Sequence, residues 1–456
     1  MEDKKIEKLI ESCREEFTAM LARWVKIPSV ESEAQPGMPF GPEIARMVET
    51  AKADIEAMGF PVRTYDGYAL DATLGDESLE KLAILAHLDV VPAGDGWKVD
   101  PFGAVIEGDR MYGRGTNDDK GPALCALFAM KAIREAGIPL RRAVRLILGT
   151  DEESGWADMK YYCAHAEMPE MGFSPDASFP LINTEKGMVH LLAKAPLAKE
   201  GLQVLSLRNG ERMNVIPGES RAVVAGGAEI VAKTEAFAKE TGLDVKAVPV
   251  EDGVELVCVG IPGHSAYPEN CRNANGMLLL LLKALGVQGA LRTLADAYPM
   301  EYDGRSLGIA CRDEVSGALT CNMGILHVED GYVKASFDCR CPLCADLDAT
   351  LKSILAHLPG FEAVDPAVKP PHHVPADGEL VSSLLAAYTE ETGLSGEAQS
   401  TGGGTYAKVL KSGVAFGAAF PDDEDLAHQA GEYVYISKMM TAIRIYASAI
   451  LKLCAA

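Results

Sequence analysis

The sequence predicts an α/β fold, with a three-layer domain around a mostly parallel sheet and an inserted α+β domain. Two segments, 82–91 and 144–149, are mostly apolar and do not alternate with polar residues, which is typical of parallel strands covered on both faces. A helix over 121–136 lies between them and gives the strand–helix–strand order of such a sheet. The length of 456 residues exceeds one ordinary core and predicts more than one domain.

The other elements follow in chain order. An amphipathic helix is predicted over 6–26 and ends before Pro28. Residues 184–369 have a different pattern of apolar and polar residues. Alternating segments typical of half-buried strands (190–195, 254–259 and 332–337) are mixed there with helical segments (229–241 and 275–285). After Pro370-Pro371 the sequence predicts a helix (379–392), a glycine loop (402–404), a strand (414–420) and a closing helix (436–454). We therefore expect one domain formed by 1–183 and 370–456, with a second, inserted domain over 184–369.

Composition limits the classes of function. The net charge of −23 disfavours nucleic acids and anionic membranes as partners. The first residues lack the apolar core of a signal peptide, and the run 277–282 is too short to span a bilayer. The 11 cysteines are scattered, which favours reduced thiols and a cytoplasmic location. Cys339, Cys341 and Cys344 allow a metal site, but no second CxxC or His pair stands at the usual spacing, so a partly buried strand followed by a turn is favoured.

The strongest chemical signal is the pair His87 and Asp89 at the end of the first buried strand. Side chains alternate along a strand, so both residues point to the same side, as a metal ligand and its orienting carboxylate would. Ligands of parallel sheets collect at the carboxyl ends of strands. The acidic run Asp151-Glu152-Glu153 follows the second buried strand and falls at the same kind of position.

Three further polar positions are ambiguous when taken singly. Asp118 and Asp119 lie in a glycine-rich turn before the 121–136 helix, where two carboxylates would repel phosphate and attract a cation. A polar turn with an N-cap aspartate is the ordinary alternative. Asp176 suits a simple turn. His428 lies beside an acidic loop, and a lone histidine is more often structural than a ligand.

Taken together, the order HxD, DD, EE, D and H resembles the co-catalytic di-zinc peptidases, a family that includes carboxypeptidase G2, succinyl-diaminopimelate desuccinylase and aminoacylase. The segment 24–30 (WVKIPSV) also resembles that family. The segments 402–407 (GGGTYA) and 428–430 (HQA) are similar to its PepV-type branch, the bacterial Xaa-His or carnosinase-like dipeptidases.

The resemblance implies a centre for two zinc ions, with manganese or cobalt as alternatives. Its ligands would be His87 and Asp176 for one ion, Glu153 and His428 for the other, and Asp118 as the bridge between them. Glu152 would be the general base. Asp89 would hydrogen-bond His87 and set its tautomer.

The resemblance also makes 1–183 and 370–456 a catalytic domain and 184–369 a lid domain. The lid domain is expected to supply further residues. The segment 262–266 (PGHSA) is similar to a lid motif whose histidine, here His264, would polarise the scissile carbonyl. Asn214, Arg340 and Gly403 would bind the substrate, and Arg340 suits a carboxylate through its bidentate fork. The sequence departs from the family pattern at 270–272 (NCR) and at Gly431, which puts the substrate preference in doubt but removes no ligand.

The resemblance implies a zinc-dependent dipeptidase that acts on L-dipeptides, either of the Xaa-His or β-Ala-His type or broadly. An N-acyl-amino-acid or succinyl-diaminopimelate deacylase with the same metal centre is the nearest alternative. A catalytically silent, metal-stabilised binding protein is a third, although such a protein would be expected to lose Glu152 first. Small dipeptides are the expected partners. The long lid, which can imitate a second subunit, favours a monomer.

Overall fold

The computed structural model describes residues 2–456, and the chain divides into two compact units. Unit 1 comprises the described residues up to Asn183 together with Val374–Gln399 and Gly404–Ala456. Unit 2 comprises Thr184–His373 and the short return Ser400–Gly403. The chain thus re-enters unit 1 at Val374, four residues later than expected, and the second visit to unit 2 has no counterpart in the sequence-based division.

The first segment of the chain holds the elements that carry most of the site. Its helices are α1 (Glu2–Ser12), α2 (Arg14–Val25), α3 (Pro42–Ala57), α4 (Lys120–Ala136) and α5 (Ala157–His165). Its strands are β1 (Val62–Tyr65), β2 (Ala69–Leu74), β3 (Lys81–His87), β4 (Val105–Glu107), β5 (Arg110–Tyr112), β6 (Ala143–Gly149), β7 (Met171–Ser174), β8 (Ala177–Ser178) and β9 (Ile182–Glu185).

The middle segment is rich in strands. These are β10 (Gly187–Pro196), β11 (Val204–Asn209), β12 (Val215–Ile216), β13 (Glu219–Val224), β14 (Val245–Val250), β15 (Gly253–Val259), β16 (Gly263–His264), β17 (Arg312–Asp313), β18 (Gly317–Ala318), β19 (Thr320–Asn322), β20 (Leu326–Glu329), β21 (Tyr332–Cys341), β22 (Glu362–Lys369) and β23 (His372–His373). Its helices are α6 (Ala228–Thr241), α7 (Ala274–Ala284), α8 (Gly289–Ala297), a 3-10 turn (Arg305–Leu307) and α9 (Leu347–Ala356).

The last segment returns to unit 1. It contains α10 (Glu379–Thr392), β24 (Gln399–Thr401), a 3-10 turn (Tyr406–Val409), β25 (Ser412–Ala415), β26 (Ala418–Ala419), β27 (Tyr433–Tyr435) and α11 (Ile436–Cys454). The predicted strand 414–420 is divided into β25 and β26 because Gly417, at φ 74°, turns the backbone between them. The predicted helix 6–26 is likewise divided at Cys13 into α1 and α2.

The main sheet of unit 1 confirms the predicted α/β class. Its strand order is β1-β2-β6-β3-β7-β25-β9. The four central strands are parallel, because β3 pairs in parallel with β6 and β7, and β25 pairs in parallel with β7. The strands β1 and β2 at one edge and β9 at the other are antiparallel. The carboxyl ends of the parallel strands therefore meet at one edge of the sheet.

The uniform apolar character of β3 follows from cover on both faces. Leu82 and Ile84 pack into the larger hydrophobic core, to which α4 and α11 also contribute. Ala83 and Leu85 pack into a smaller core on the other face, with Tyr162 of α5. The strand is shorter than the predicted 82–91 and ends at His87.

Unit 2 is built on an antiparallel sheet. The strand order is β14-β15-β13-β11-β20-β21-β10-β22, with β19 added on β21. The segments predicted to alternate lie in β10, β15 and β21, and α7 and α8 contribute to the core of this unit. Among the described helices, none has the length and apolar character that crossing a membrane would need.

Candidate metal centre

The carboxyl ends of three neighbouring parallel strands carry the predicted ligands. His87 is the last residue of β3, Glu153 follows β6 by a short turn, and Asp176 lies two residues after β7. The other two ligands arrive from loops, Asp118 just before α4 and His428 shortly before β27. All five belong to unit 1. The sheet order β6-β3-β7 explains why residues far apart in sequence meet here.

The carboxylate of Asp118 lies between the two histidines. Its Oδ1 is 2.9 Å from Nε2 of His87, and its Oδ2 is 3.0 Å from Nε2 of His428. Asp176 Oδ2 lies 3.8 Å from the same nitrogen of His87, and Glu153 Oε2 lies 2.9 Å from that of His428. Two groups of three donors therefore share one carboxylate, the arrangement expected of a bridging ligand.

Glu152 lies close to the same donors. One ligand atom from each of His87, Glu152 and Asp176 falls within 4.8 Å of the others, and so does one from each of His87, Asp118 and Glu153. The Glu152 carboxylate therefore lies beside the candidate ligands, at a distance that suits a metal ligand as well as a proton acceptor.

Charge at the centre favours a bound cation. Burial raises the pKa of Asp176 well above its ordinary value, and the carboxylate of Asp118 raises it further. Burial also raises the pKa of Glu152, partly opposed by His87 and reinforced by Glu153. Crowded, buried carboxylates are costly to ionise unless a cation is present. Imidazole and carboxylate donors suit zinc, manganese and cobalt, so these residues fit a divalent metal.

Hydrogen bonds and ion pairs hold the rings of both candidate histidine ligands in place. His87 is buried, and its Nδ1 lies 3.0 Å from the backbone oxygen of Asp89 and 3.4 Å from Asp89 Oδ1, which leaves Nε2 directed at Asp118. Burial lowers the pKa of His428, but hydrogen bonds to Asp118 and Glu153 outweigh it and raise the pKa to about 10. The backbone of His428 is left-handed, at φ 63°, a conformation that non-glycine residues adopt mainly at constrained or functional positions.

Asp89 contacts the turn of Glu152 and Glu153 as well as the expected His87. Its carboxylate accepts hydrogen bonds from the backbone N–H groups of Glu152, at 3.3 Å, and of Glu153, at 3.1 Å. The nearer contact to His87 is made by the carbonyl of Asp89 rather than by its side chain. Asp89 therefore supports both the histidine and the turn that carries the two glutamates.

A buried layer of hydrogen bonds that was not predicted lies behind this turn. Asp158 accepts hydrogen bonds from the backbone N–H groups of Thr150, at 2.6 Å, and Asp151, at 3.0 Å, and from the hydroxyl of Tyr406. Burial raises the pKa of Asp158 to about 6, and the hydrogen bond from Tyr406 opposes that rise. The GGGTYA motif was a signal for Tyr406, whereas nothing in the sequence marked Asp158 among 66 acidic residues.

The predicted lid residues gather within unit 2. His264 pairs with Val215 in the small β12–β16 sheet, and the N–H of the next residue, Ser265, donates to the carbonyl of Asn214 at 2.9 Å. Arg340 donates from Nη1 to the carbonyl of Gly402 at 2.8 Å, next to Gly403.

Asp338 connects the two groups of lid residues. It accepts two hydrogen bonds of 2.9 Å from Nε and Nη2 of Arg340, and one of 2.6 Å from the hydroxyl of Ser265. The lid residues therefore form one network around a buried carboxylate.

The family of the chain follows from comparison with known proteins. The model of Peptidase family M20/M25/M40 matches residues 83–452, a range that includes every candidate metal ligand. The chain belongs to this family. It is therefore a hydrolase acting on peptide bonds, and the family resemblance inferred from the motifs is confirmed.

Two relatives and two solved structures show how far the likeness extends. The chain is 36% identical to the protein YtjP of Bacillus subtilis (strain 168) over 453 residues, covering 96% of this chain and 97% of that protein. It is 32% identical to the Beta-Ala-Xaa dipeptidase of Lactobacillus delbrueckii subsp. lactis over 421 residues, covering 90% and 88%. The fold resembles Dug1p from Saccharomyces cerevisiae (TM-score 0.62, 14% identity, 99% and 98% covered) and human carnosine dipeptidase 1 (TM-score 0.59, 15% identity, 99% of each).

Proposed function

We propose that this chain is a metal-dependent dipeptidase that cleaves L-dipeptides, of the Xaa-His or β-Ala-His type or broadly, at a centre for two zinc ions. The observation that carries the proposal is Asp118, whose two carboxylate oxygens each contact a different histidine. The likeness over most of both chains to a Beta-Ala-Xaa dipeptidase supports the substrate class. Manganese or cobalt would fit the same donors.

Divalent cations held by His87, Asp176, Asp118, Glu153 and His428 would supply Lewis-acid activation of water and of the scissile carbonyl. Glu152 acts as the general base: its carboxylate takes a proton from the attacking water as the oxygen bonds to the amide carbon. It then returns that proton to the leaving nitrogen as the carbon–nitrogen bond breaks. Asp89 contributes by holding the backbone of Glu152 and the ring of His87.

The lid residues bind and polarise the substrate. His264 donates to the carbonyl oxygen on which negative charge develops. Arg340, with Asn214 and Gly403, binds the substrate carboxylate. Within the described residues, Asp338 and Gly402 accept three of the five guanidinium N–H groups of Arg340. The two that remain can donate to a carboxylate.

Hydrolysis assays of purified, metal-stripped protein test the proposal. We expect β-Ala-His and Ala-Xaa dipeptides to be cleaved once zinc, manganese or cobalt is restored. Cleavage of N-acyl-amino acids or N-succinyl-diaminopimelate alone would assign the centre to a deacylase instead. Metal binding without hydrolysis of any of these substrates would indicate a silent binding protein.

Replacing Arg340 by alanine tests carboxylate recognition separately when both the variant and its parent carry Asp338→Asn, so that no buried carboxylate loses its partner. Losing hydrogen bonds to a charged group costs about 1.5–3 kcal/mol, so kcat/KM for a free dipeptide should fall by roughly 10–150-fold. A dipeptide amide should be affected much less, because it lacks the carboxylate. Arg208, an exposed arginine of the same unit, provides the matched control when replaced by alanine. Equal losses on both substrates would contradict the role of Arg340.

We also infer that the protein acts as a cytoplasmic monomer. Sedimentation analysis should then give a single species near the chain mass of 48.6 kDa. A stable dimer at assay concentrations would contradict the monomer.

A further inference from the structure

Glu432 lies four residues after the candidate ligand His428 and is fully buried. Its Oε1 accepts hydrogen bonds from three backbone N–H groups, those of Gly115 at 3.0 Å, Asn117 at 2.9 Å and Asp118 at 3.3 Å. The loop that carries the candidate bridging ligand is thus wrapped around a single oxygen of this carboxylate.

The other side of Glu432 is also occupied. Its Oε2 accepts a hydrogen bond of 2.6 Å from Nη1 of Arg114, which is almost fully buried. The backbone carbonyl of Glu432 accepts a further bond from the N–H of Gly113 at 3.0 Å. Arg114 is held in turn by the carbonyl of Ala93 at 3.2 Å and by the ring of Trp97, 5.4 Å from the guanidinium carbon.

Charge neutralisation of Arg114 alone does not explain this arrangement. An ion pair needs one oxygen in contact with the guanidinium, and Oε2 provides it. The convergence of three N–H groups on Oε1 is instead a means of fixing a loop, similar to the anion-binding nests made by successive backbone amides. The loop fixed in this way ends at Asp118, and the anion that fixes it belongs to the segment of His428.

We propose that Glu432 is a positioning residue of the metal centre. Its carboxylate holds the Asp118 loop and the His428 segment in their relative positions before metal binds. The inference rests on the proposed function, because it takes Asp118 and His428 as ligands. Supporting residues outside the ligand set typically change metal affinity by about 10–100-fold when they are replaced. We therefore expect a loss of that size when the acceptor at position 432 is removed.

Two double variants separate positioning from charge balance. Both carry Arg114→Met, so no buried cation is left without its partner. In Arg114→Met with Glu432→Gln, the glutamine keeps an oxygen that can accept the three N–H groups. In Arg114→Met with Glu432→Met, the acceptor is lost and the side-chain volume is nearly kept. Zinc affinity is measured by competition with a chelator and zinc content by mass spectrometry, while the melting temperature in chelator reports folding without metal.

We expect the glutamine variant to bind zinc within a few-fold of the unmodified protein, and the methionine variant to bind it about 10–100-fold more weakly. Equal affinities in the two variants, whether both normal or both weakened, would overturn the proposal. If the methionine variant does not fold, Glu432→Leu in the same background replaces it. Failure of both apolar variants to fold in chelator, with folding of the glutamine variant, would also overturn it, because Glu432 would then serve the chain rather than the metal.

Zinc binding and peptidase activity of the unmodified protein distinguish a failure of this inference from a failure of the proposed function. Absence of zinc binding and of peptidase activity in the unmodified protein would refute the proposed function itself. Normal binding and activity in the unmodified protein, with no difference between the two variants, would refute only the role of Glu432.

Discussion

Glutamine replacements of the adjacent residues Glu152 and Glu153 should have different consequences. The backbone N–H of Glu152 donates to Asp89, and its carbonyl accepts from Nε1 of Trp156 at 2.9 Å. These are main-chain contacts that Glu152→Gln retains, so the turn should keep its shape. The glutamine cannot accept the proton of the attacking water, and general-base catalysis contributes about 10²–10⁴-fold in rate. We expect kcat to fall by that factor, equivalent to about 2.7–5.4 kcal/mol of activation free energy.

Glu153→Gln should instead weaken metal binding. The carboxylate of Glu153 lies 2.9 Å from the same nitrogen of His428 that would bind the metal, and an amide is a poorer metal donor than a carboxylate. We expect this variant to retain fewer than two metals per chain after dialysis, whereas Glu152→Gln should retain both.

Steady-state dipeptide hydrolysis and metal content of the same preparations check both expectations. An unchanged kcat in Glu152→Gln would refute the base, and loss of metal from that variant would show that Glu152 is a ligand instead. Metal content unchanged in Glu153→Gln would remove Glu153 from the ligand set.

Three other perturbations have expected outcomes. Tyr406→Phe removes the hydroxyl that donates to buried Asp158, and should lower the free energy of unfolding in urea by about 1–3 kcal/mol; an unchanged value would show that this hydrogen bond is dispensable. Zinc at 100 times the dissociation constant of one site should stabilise the stripped protein by about 2.7 kcal/mol for that site, seen as a higher melting temperature, and no rise would contradict a site confined to the folded state. Burial alone would raise the pKa of Asp338, but His190 and Arg340 hold it below the ordinary value. The stability that this gives is present above about pH 3.9 and is lost as the pH falls towards the lower folded value. The melting temperature should therefore fall more steeply in acid than that of Asp338→Asn, and parallel curves would contradict this reasoning.

The sequence predicted those parts of the site that local patterns determine. A buried parallel strand has a recognisable composition, and residues just beyond it fall at the edge where ligands collect, which is why His87 and the Glu152–Glu153 run could be identified. The α/β class followed from the same strands. Asp118 and His428 lie in loops without such a pattern, and only the family resemblance favoured a ligand over an ordinary turn or structural residue at these positions.

The residues that the sequence did not reveal act through long-range hydrogen bonds. Glu432 reaches backbone groups more than 300 positions away, and Asp158 meets Tyr406 across 248. No periodicity or spacing encodes such partners, since each acidic residue is one of 66. The ends of helices and strands were also harder to predict than their presence, because the ends depend on local backbone turns such as that at Gly417.

The interruption of unit 1 by unit 2 has a consequence for how the protein is made. Nearly all of unit 2 is one continuous stretch, Thr184–His373, which can fold as soon as it leaves the ribosome. The larger core of unit 1 is completed later, because α11 supplies part of it and is translated only after the continuous stretch of unit 2. Until then α4 and β6, on which α11 packs, lack that cover. The enzyme would gain its metal-binding capacity only near the completion of synthesis, when His428 has emerged.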